Sequence, residues 1–195
     1  AESSSKSEEE REGLGFLVNA LKRMNSMVSK ILDIRMIEQK KINMNCEKTD
    51  LGEVIQDVYR NMQVAARQKN ISLNLENLNV YGVVDRNYLT QVFENLLSNA
   101  IKFSPKNSDV RIKVEEENGQ VRINFIDAGP GIKADEMDKL FGKYTKLSAR
   151  PTAGEDYTGL GLSIVKKYVD VMGGKVWCES NPGKGSSFIV SFQKS

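Results

Sequence analysis

Asn95, Asn99 and Lys102 fall on one side of an otherwise apolar stretch, Gln91 to Phe103. At 100° per residue the three occupy a sector of about 60° on a helix, beside an arc filled by Val92, Phe93, Leu96, Leu97, Ala100 and Ile101. Two carboxamides and an amine in that setting must find partners, because burying them unpaired costs about 1–3 kcal/mol each. A ligand is one such partner. The plain alternative is that they cap neighbouring loops or face water.

Two glycine-bearing segments offer complementary chemistry. Ile126-Asp127-Ala128-Gly129-Pro130-Gly131 leaves an alternating strand with a carboxylate at its end and residues without Cβ just beyond. An ionised Asp accepts hydrogen bonds and does not donate, so Asp127 suits an exocyclic amine such as that of adenine and rejects a guanine carbonyl. Gly129 and Gly131 would let backbone approach a planar ring. A calcium loop or a simple turn is the competing reading, but a calcium loop needs more carboxylates nearby. Thr158-Gly159-Leu160-Gly161-Leu162 is expected to open a helix at Gly159, whose unpaired N–H groups and positive dipole end would face an anion; tight helix packing is the other common reason for glycines there. No G-x-x-x-x-G-K-[ST] loop exists, Gly183-Lys184-Gly185-Ser186 has the wrong spacing, and the third glycine of a dinucleotide fingerprint is missing. A bound nucleotide would need Asn oxygens on Mg²⁺, Lys102 and the Gly159 helix start to hold its phosphates.

Composition narrows the setting. Among 195 residues, 39% are hydrophobic, enough for a core, and 28% are charged with a net charge of +2, so no charge excess points to nucleic acid or to direct membrane contact. Histidine is absent and Cys46 and Cys178 stand far apart, which removes the usual zinc ligands and suits a reducing compartment. No h-region or long apolar run occurs, so the expected location is the cytoplasm, including the cytoplasmic part of a larger membrane protein. The chain opens on Ala1 and not on methionine, which fits a piece cut from a longer protein.

The elements that must position these residues can be read in order. Residues 1–6 are expected to be a disordered tail. Ser7-Glu8-Glu9-Glu10 fits a capping box for a helix over 7–41, whose apolar positions 14, 17, 21, 24, 28 and 31 form a heptad seam; Met27 and Ile34 on one flank, with Val18 and Leu32 on the other, widen it beyond a two-stranded coil. The alternation of Ile42, Met44 and Cys46 predicts a strand over 42–46. Asp50 and Glu53 cap a helix ending near Asn70, strands follow at 71–75 and 80–84, and Asp85 caps the helix that carries the polar stripe, which Ser104-Pro105 stops. Val110, Ile112 and Val114 alternate, as do Val121, Ile123 and Phe125, around an Asn118-Gly119 turn, which predicts a hairpin. A short helix to about Phe141 precedes a long polar loop, 142–158, of the kind that forms lids. The helix from Gly159 ends at Gly173-Gly174, and strands 175–179 and 187–192 flank a turn at Asn181-Pro182-Gly183. The sum is an α+β sandwich, a mixed and largely antiparallel sheet covered by about three helices, with an extended N-terminal helix outside it.

The order ENLLSNAIKF, DAGPGI, LFGKYTK, TGLGLS resembles the N, G1, F and G2 boxes of sensor histidine kinases, and the likeness covers roughly residues 42–193. It implies the Bergerat fold shared with Hsp90, gyrase and MutL-type ATPases, and ATP with Mg²⁺ as cofactors. Carried over by position, Asn99 would hold Mg²⁺ with help from Asn95, and Lys102 would contact phosphate. Phe103 would lie against the adenine, Asp127 would bind its amine, and Gly129 and Gly131 would shape the pocket. Thr158 to Leu162 would seat the phosphates, with Gly159 and Gly161 giving the room. Lys146 falls where many members carry an arginine that reaches the terminal phosphate from the lid; lysine keeps the charge and loses the fork.

The first helix resembles the second helix of the family's dimerisation bundle. The first bundle helix, with its H-E-x-x-x-P phosphoacceptor box, is missing, and no histidine exists to take a phosphoryl group. The resemblance thus implies the ATP-binding catalytic portion of a two-component kinase that acts on a histidine outside this chain. Its partners would be the phosphoacceptor helix of the same or another protomer, a downstream response regulator, and a second copy through the seam. Two alternatives stand beside it: a serine kinase or ATPase of the same superfamily, against which the heptad seam argues, and a non-catalytic ATP-sensing module, which the missing histidine favours.

Overall fold

In a computed structural model, the described residues are 44–76, 79–155 and 157–195, together with positions 13–15, 17, 18, 20, 21, 24 and 28. The chain divides into two compact units, Ala1–Ile42 and Asn43–Ser195. In the first, every described position is helical, and Leu14, Leu17, Leu21, Met24 and Val28 of the seam are exposed. The expected tail, the capping box at Ser7, Ile31, and the flanking Met27, Leu32 and Ile34 lie outside the described residues.

The second unit is built on helix α2, Arg86–Phe103. Asp85 caps it by accepting from the N–H groups of Asn87 and Tyr88, and Ser104 and Pro105 end it. Its apolar arc, Leu89, Val92, Phe93, Leu96, Leu97, Ala100 and Ile101, is almost wholly removed from water. Each large side chain in such a row contributes about 1.5–3 kcal/mol. Helix α1, Leu51–Gln68, is capped by Asp50 accepting from the Glu53 N–H; it packs on one side of α2, and α3, Gly161–Val171, packs on the other.

The helices cover a five-stranded sheet of order β2, β4, β5, β7, β6, where β2 is Ser72–Glu76, β4 Asp109–Glu117, β5 Gln120–Asp127, β6 Lys175–Ser180 and β7 Ser186–Gln193. Only β2 and β4 run parallel; the other pairs are antiparallel. The expected hairpin is β4–β5, with Asn118 and Gly119 both at positive φ in its two-residue turn. Alternating Val110, Ile112, Val114 and Val121, Ile123, Phe125 are buried, and the Phe93 and Phe125 rings meet at 5.6 Å where β5 packs against α2. The α+β sandwich read from the pattern is the fold that forms.

Three local expectations are corrected. No strand forms at 44–46; β1 is Glu47–Asp50, antiparallel to β3, Tyr81–Val84, as a separate two-stranded sheet. The reason is tertiary: Thr49 Oγ1 donates to the Val84 carbonyl and the Asn45 N–H to Asp85 Oδ2, which fixes the register by the cap of α2 rather than by the alternation at 42–46. The short helix before the loop is a 3-10 turn, Ala134–Lys139. Helix α3 begins at Gly161, not Gly159, because Gly159 sits at φ +69°, outside helical conformation. Among the described residues, no helix is long and apolar enough to cross a membrane.

Candidate functional site

The strand β5 delivers Asp127 to the end of α2, and backbone contact holds them together. The Ala128 N–H donates to Ser104 Oγ at 3.2 Å, and a Cβ on Gly129 would sit 2.9 Å from the Phe103 carbonyl oxygen, so only glycine allows that approach. Gly131, at φ +72°, lies where a Cβ would meet the Asn181 carbonyl at 2.2 Å, which packs the loop against the β6–β7 turn. Asp127 is 7% exposed. Its Oδ1 accepts from the N–H groups of Gly129, at 2.8 Å, and Ser186, at 3.2 Å, and its Oδ2 takes no hydrogen bond from a described residue. Burial pushes this carboxyl up to about 6, against the pull of those two amides. At neutral pH it therefore remains an anion with one acceptor oxygen uncommitted.

Along α2 the polar stripe is present as expected, and each member has a distinct surrounding. Asn95 Nδ2 donates to the Gln91 carbonyl at 2.8 Å, which orients its Oδ1 toward the start of α3, 3.0 Å from where a Cβ on Gly161 would stand. Asn99 is partly buried and its side chain makes no hydrogen bond to another described residue, so its carboxamide oxygen is available. The first turn of α3 has no side-chain cap. The Leu160 N–H is already engaged by Thr158 Oγ1 at 3.4 Å, Leu160 itself is buried, and the free donors begin with Gly161 and Leu162. The anion-facing end foreseen at Gly159 is thus shifted two residues along. Gly159 serves the loop: a Cβ there would press to 2.6 Å on the Thr145 carbonyl.

The loop between the 3-10 turn and α3 brings an aromatic and cationic group against the end of α2. The Phe103 and Tyr157 rings meet edge to face at 5.8 Å, and Lys146 Nζ stands 5.6 Å over the Tyr157 ring. Arg150 lies over the same ring and bonds its hydroxyl. The loop is held at two places. The Ser148 N–H and hydroxyl donate to the Glu136 carboxylate at 2.6 and 2.7 Å, which holds that carboxyl below its usual range. Thr152 and Glu155 meet Lys69 at the last turn of α2.

Lys69, Thr152, Glu155 and Tyr157 carried no signal in the sequence, Ser104 was read only as a helix stop, and the Gly185-Ser186 turn only as a phosphate loop of the wrong spacing. Gly185 sits at φ +83° with a Cβ position 2.1 Å from the Asp127 carbonyl oxygen. A glycine-lysine-glycine-serine run was the available signal for it, but the run shapes the Asp127 pocket rather than cradling a phosphate through a P-loop.

Among the described residues, no cluster of three or more acidic or cysteine side chains could hold a metal. A hard cation would have to use carboxamide oxygens together with oxygens of its ligand, and the available Asn95 and Asn99 oxygens fit that demand.

A family described as histidine kinase-, DNA gyrase B- and HSP90-like ATPase matches residues 84–195. The chain is 30% identical over 193 residues to the autoinducer 2 sensor kinase/phosphatase LuxQ of Vibrio parahaemolyticus, covering 94% of this chain and 22% of that protein. It spans between about a fifth and a third of the length of the curated relatives it matches. Among solved structures it is similar to the nucleotide-free catalytic domain of the histidine kinase ThkA, at 31% identity and a TM-score of 0.66 over 77% of this chain and 97% of that one. It is also similar to ThkA in complex with the response regulator protein TrrA, at 30% identity and a TM-score of 0.71, over 91% of this chain and 49% of that one.

Proposed function

This chain belongs to the histidine kinase-, DNA gyrase B- and HSP90-like ATPase family, and from that premise we propose that it is the ATP-binding catalytic portion of a two-component sensor histidine kinase, transferring the γ-phosphoryl group to a histidine outside the chain. The observation that carries the reading is the Asp127 carboxylate, buried yet ionised at neutral pH, with Oδ2 uncommitted beside the end of the helix bearing Asn95, Asn99 and Lys102. An acceptor in that position selects an amino-substituted ring over a carbonyl-substituted one. Gly129 and Gly131 open the space for the ring, and Phe103 offers it an aromatic face.

The phosphate side follows along α2. The carboxamide oxygens of Asn95 and Asn99 would hold Mg²⁺, which when bound neutralises developing charge between phosphates. Lys102 would contact phosphate, and the uncapped start of α3 at Gly161 and Leu162 presents N–H donors to an anion. Lys146 would approach the terminal phosphate from the loop, which requires it to leave the Tyr157 ring. Phosphoryl transfer asks the protein for position and electrostatic support; the nucleophile comes with the acceptor. Residues 7–41 would be the second helix of a dimerisation hairpin and 42–195 the catalytic domain. A histidine-bearing helix would be the direct partner, with a response regulator, such as the one ThkA is seen with, further on.

The test is incubation with γ-labelled Mg·ATP. The expected result is nucleotide binding without acid-labile label on the isolated chain, and acid-labile label on a histidine-bearing first bundle helix supplied in trans. Acid-labile label on the isolated chain would contradict the assignment, and binding with no label on the added helix would favour an ATP-sensing module instead.

A further inference from the structure

Lys69 stands one residue past the end of α1, with its side chain 7% exposed, in a place where sequence pattern alone gives no reason for a buried lysine. Its ammonium shares three N–H donors among four acceptors: the carbonyl oxygens of Ile101 and Lys102, both at 2.9 Å, Thr152 Oγ1 at 2.8 Å and Glu155 Oε1 at 3.0 Å. The first two are carbonyls that the last turn of α2 cannot satisfy within the helix, at its negative dipole end. The other two belong to the long loop. Thr152 reinforces the junction, since its N–H donates to the Lys102 carbonyl at 3.0 Å and its hydroxyl to the Ser104 carbonyl at 2.6 Å. Burial pushes the Glu155 carboxyl up, and the N–H groups of Glu155 and Ala153 with the Lys69 ammonium outweigh it.

We propose that Lys69 is a positioning residue that locks the loop 142–155 to the turn of α2 carrying Lys102 and Phe103, so that loop placement and the geometry of the phosphate side are set together. This rests on the nucleotide reading above. The physical reason is asymmetry. The Ser148–Glu136 attachment is exposed, where water replaces a lost bond at little cost. The Lys69 attachment is more sheltered, with the Lys69 side chain 7% exposed and that of Glu155 27%, so loosening the loop takes two acceptors from a little-hydrated ammonium. The loop therefore has a firm arm from Thr152 onward and a soft one before it, and the firm arm reports directly to the backbone of Ile101 and Lys102. A cleft of about 330 Å³ lies beside this junction, lined by Met62, Ala65, Lys69, Ser98, Lys102 and Glu155 among others.

The whole chain is compared with its Lys69→Met, Glu155→Gln and Thr152→Val variants in two measurements: affinity for adenosine and for Mg·ATP, and amide hydrogen exchange of 147–155 against the β4–β5 hairpin. Lys69→Met is expected to weaken Mg·ATP binding about tenfold, leave adenosine binding within twofold, and speed exchange in 147–155 at least tenfold with the hairpin unchanged. Glu155→Gln should act in the same direction by about threefold, and the double variant should be no worse than Lys69→Met alone. Unchanged Mg·ATP affinity in these variants, or a parallel loss of adenosine and ATP, overturns the inference. If Lys69→Met does not fold, Glu155→Gln and Thr152→Val decide it by the same criteria. A wild-type chain that binds neither ligand overturns the nucleotide reading and the inference with it, whereas a failure confined to the variants overturns the inference alone.

Discussion

The backbone N–H of Ser186 donates to Asp127 Oδ1 at 3.2 Å, and the two residues also face each other as the last pair of the β5–β7 ladder. One strand end therefore supplies both the carboxylate and, through its neighbour, a fixed donor that turns the carboxylate's other oxygen outward.

That arrangement fixes a pH dependence. Burial raises the Asp127 carboxyl from 3.8 to about 6, so the folded state favours the protonated form. The associated stability is fully present below about pH 4 and is lost as pH rises through about 6, a change of about 3 kcal/mol. Urea unfolding of wild type and Asp127→Asn from pH 4 to 7 should show the variant gaining on wild type by up to that amount as pH rises. Parallel curves would refute the burial argument.

Ligand binding separates the two sides of the pocket. Asn99→Ala should remove the Mg²⁺-dependent part of ATP affinity while sparing adenosine. Asp127→Asn should weaken adenosine by about tenfold, because an amide turned to accept from the Ser186 N–H no longer offers a charged acceptor to an exocyclic amine. Calorimetric titration with and without Mg²⁺ reads both; retained Mg²⁺ dependence in Asn99→Ala would return the stripe to a merely solvated face.

The turn behind Asp127 contains its own control. Gly183 and Gly185 both have φ near +80°, but a Cβ at Gly183 meets nothing within 4 Å, while one at Gly185 meets the Asp127 carbonyl at 2.1 Å. Gly183→Ala should cost about 1 kcal/mol, from backbone conformation alone. Gly185→Ala should cost about 3 kcal/mol or more and weaken adenosine binding, since Asp127 must move. Equal losses on thermal unfolding would contradict this account.

The two thiols should behave differently. Cys46 is exposed, whereas Cys178 is buried in β6, and burial, then the charges of Asp127 and Glu179, push its thiol up to about 12. Titration with a disulfide reagent should find one reactive thiol in the native chain and two in denaturant. Two fast thiols in the native chain would mean that β6 opens.

Much of the domain was legible because its signals are local. Asp85 four residues before an apolar arc marks the start of α2, and Asn118-Gly119 between two alternating runs marks a hairpin, whatever surrounds them. The expected strand at 44–46 and helix start at Gly159 fail for the converse reason. The first was decided by Thr49 and Asn45 reaching Val84 and Asp85, some 35 to 40 residues away. The second was decided by the turn at Gly159, where φ is +69° and the Thr145 carbonyl would stand 2.6 Å from any Cβ.

By itself, then, the sequence determined the α+β sandwich, the stripe of Asn95, Asn99 and Lys102, and the carboxylate at the end of β5, since periodicity and residue chemistry suffice for each. Only the tertiary structure decided which Asp127 oxygen stays open, where the donors of α3 begin, and that Lys69 joins the loop to α2. Those facts depend on groups brought together across tens of residues of chain, where burial makes each unpaired charge or carbonyl costly and so leaves few arrangements.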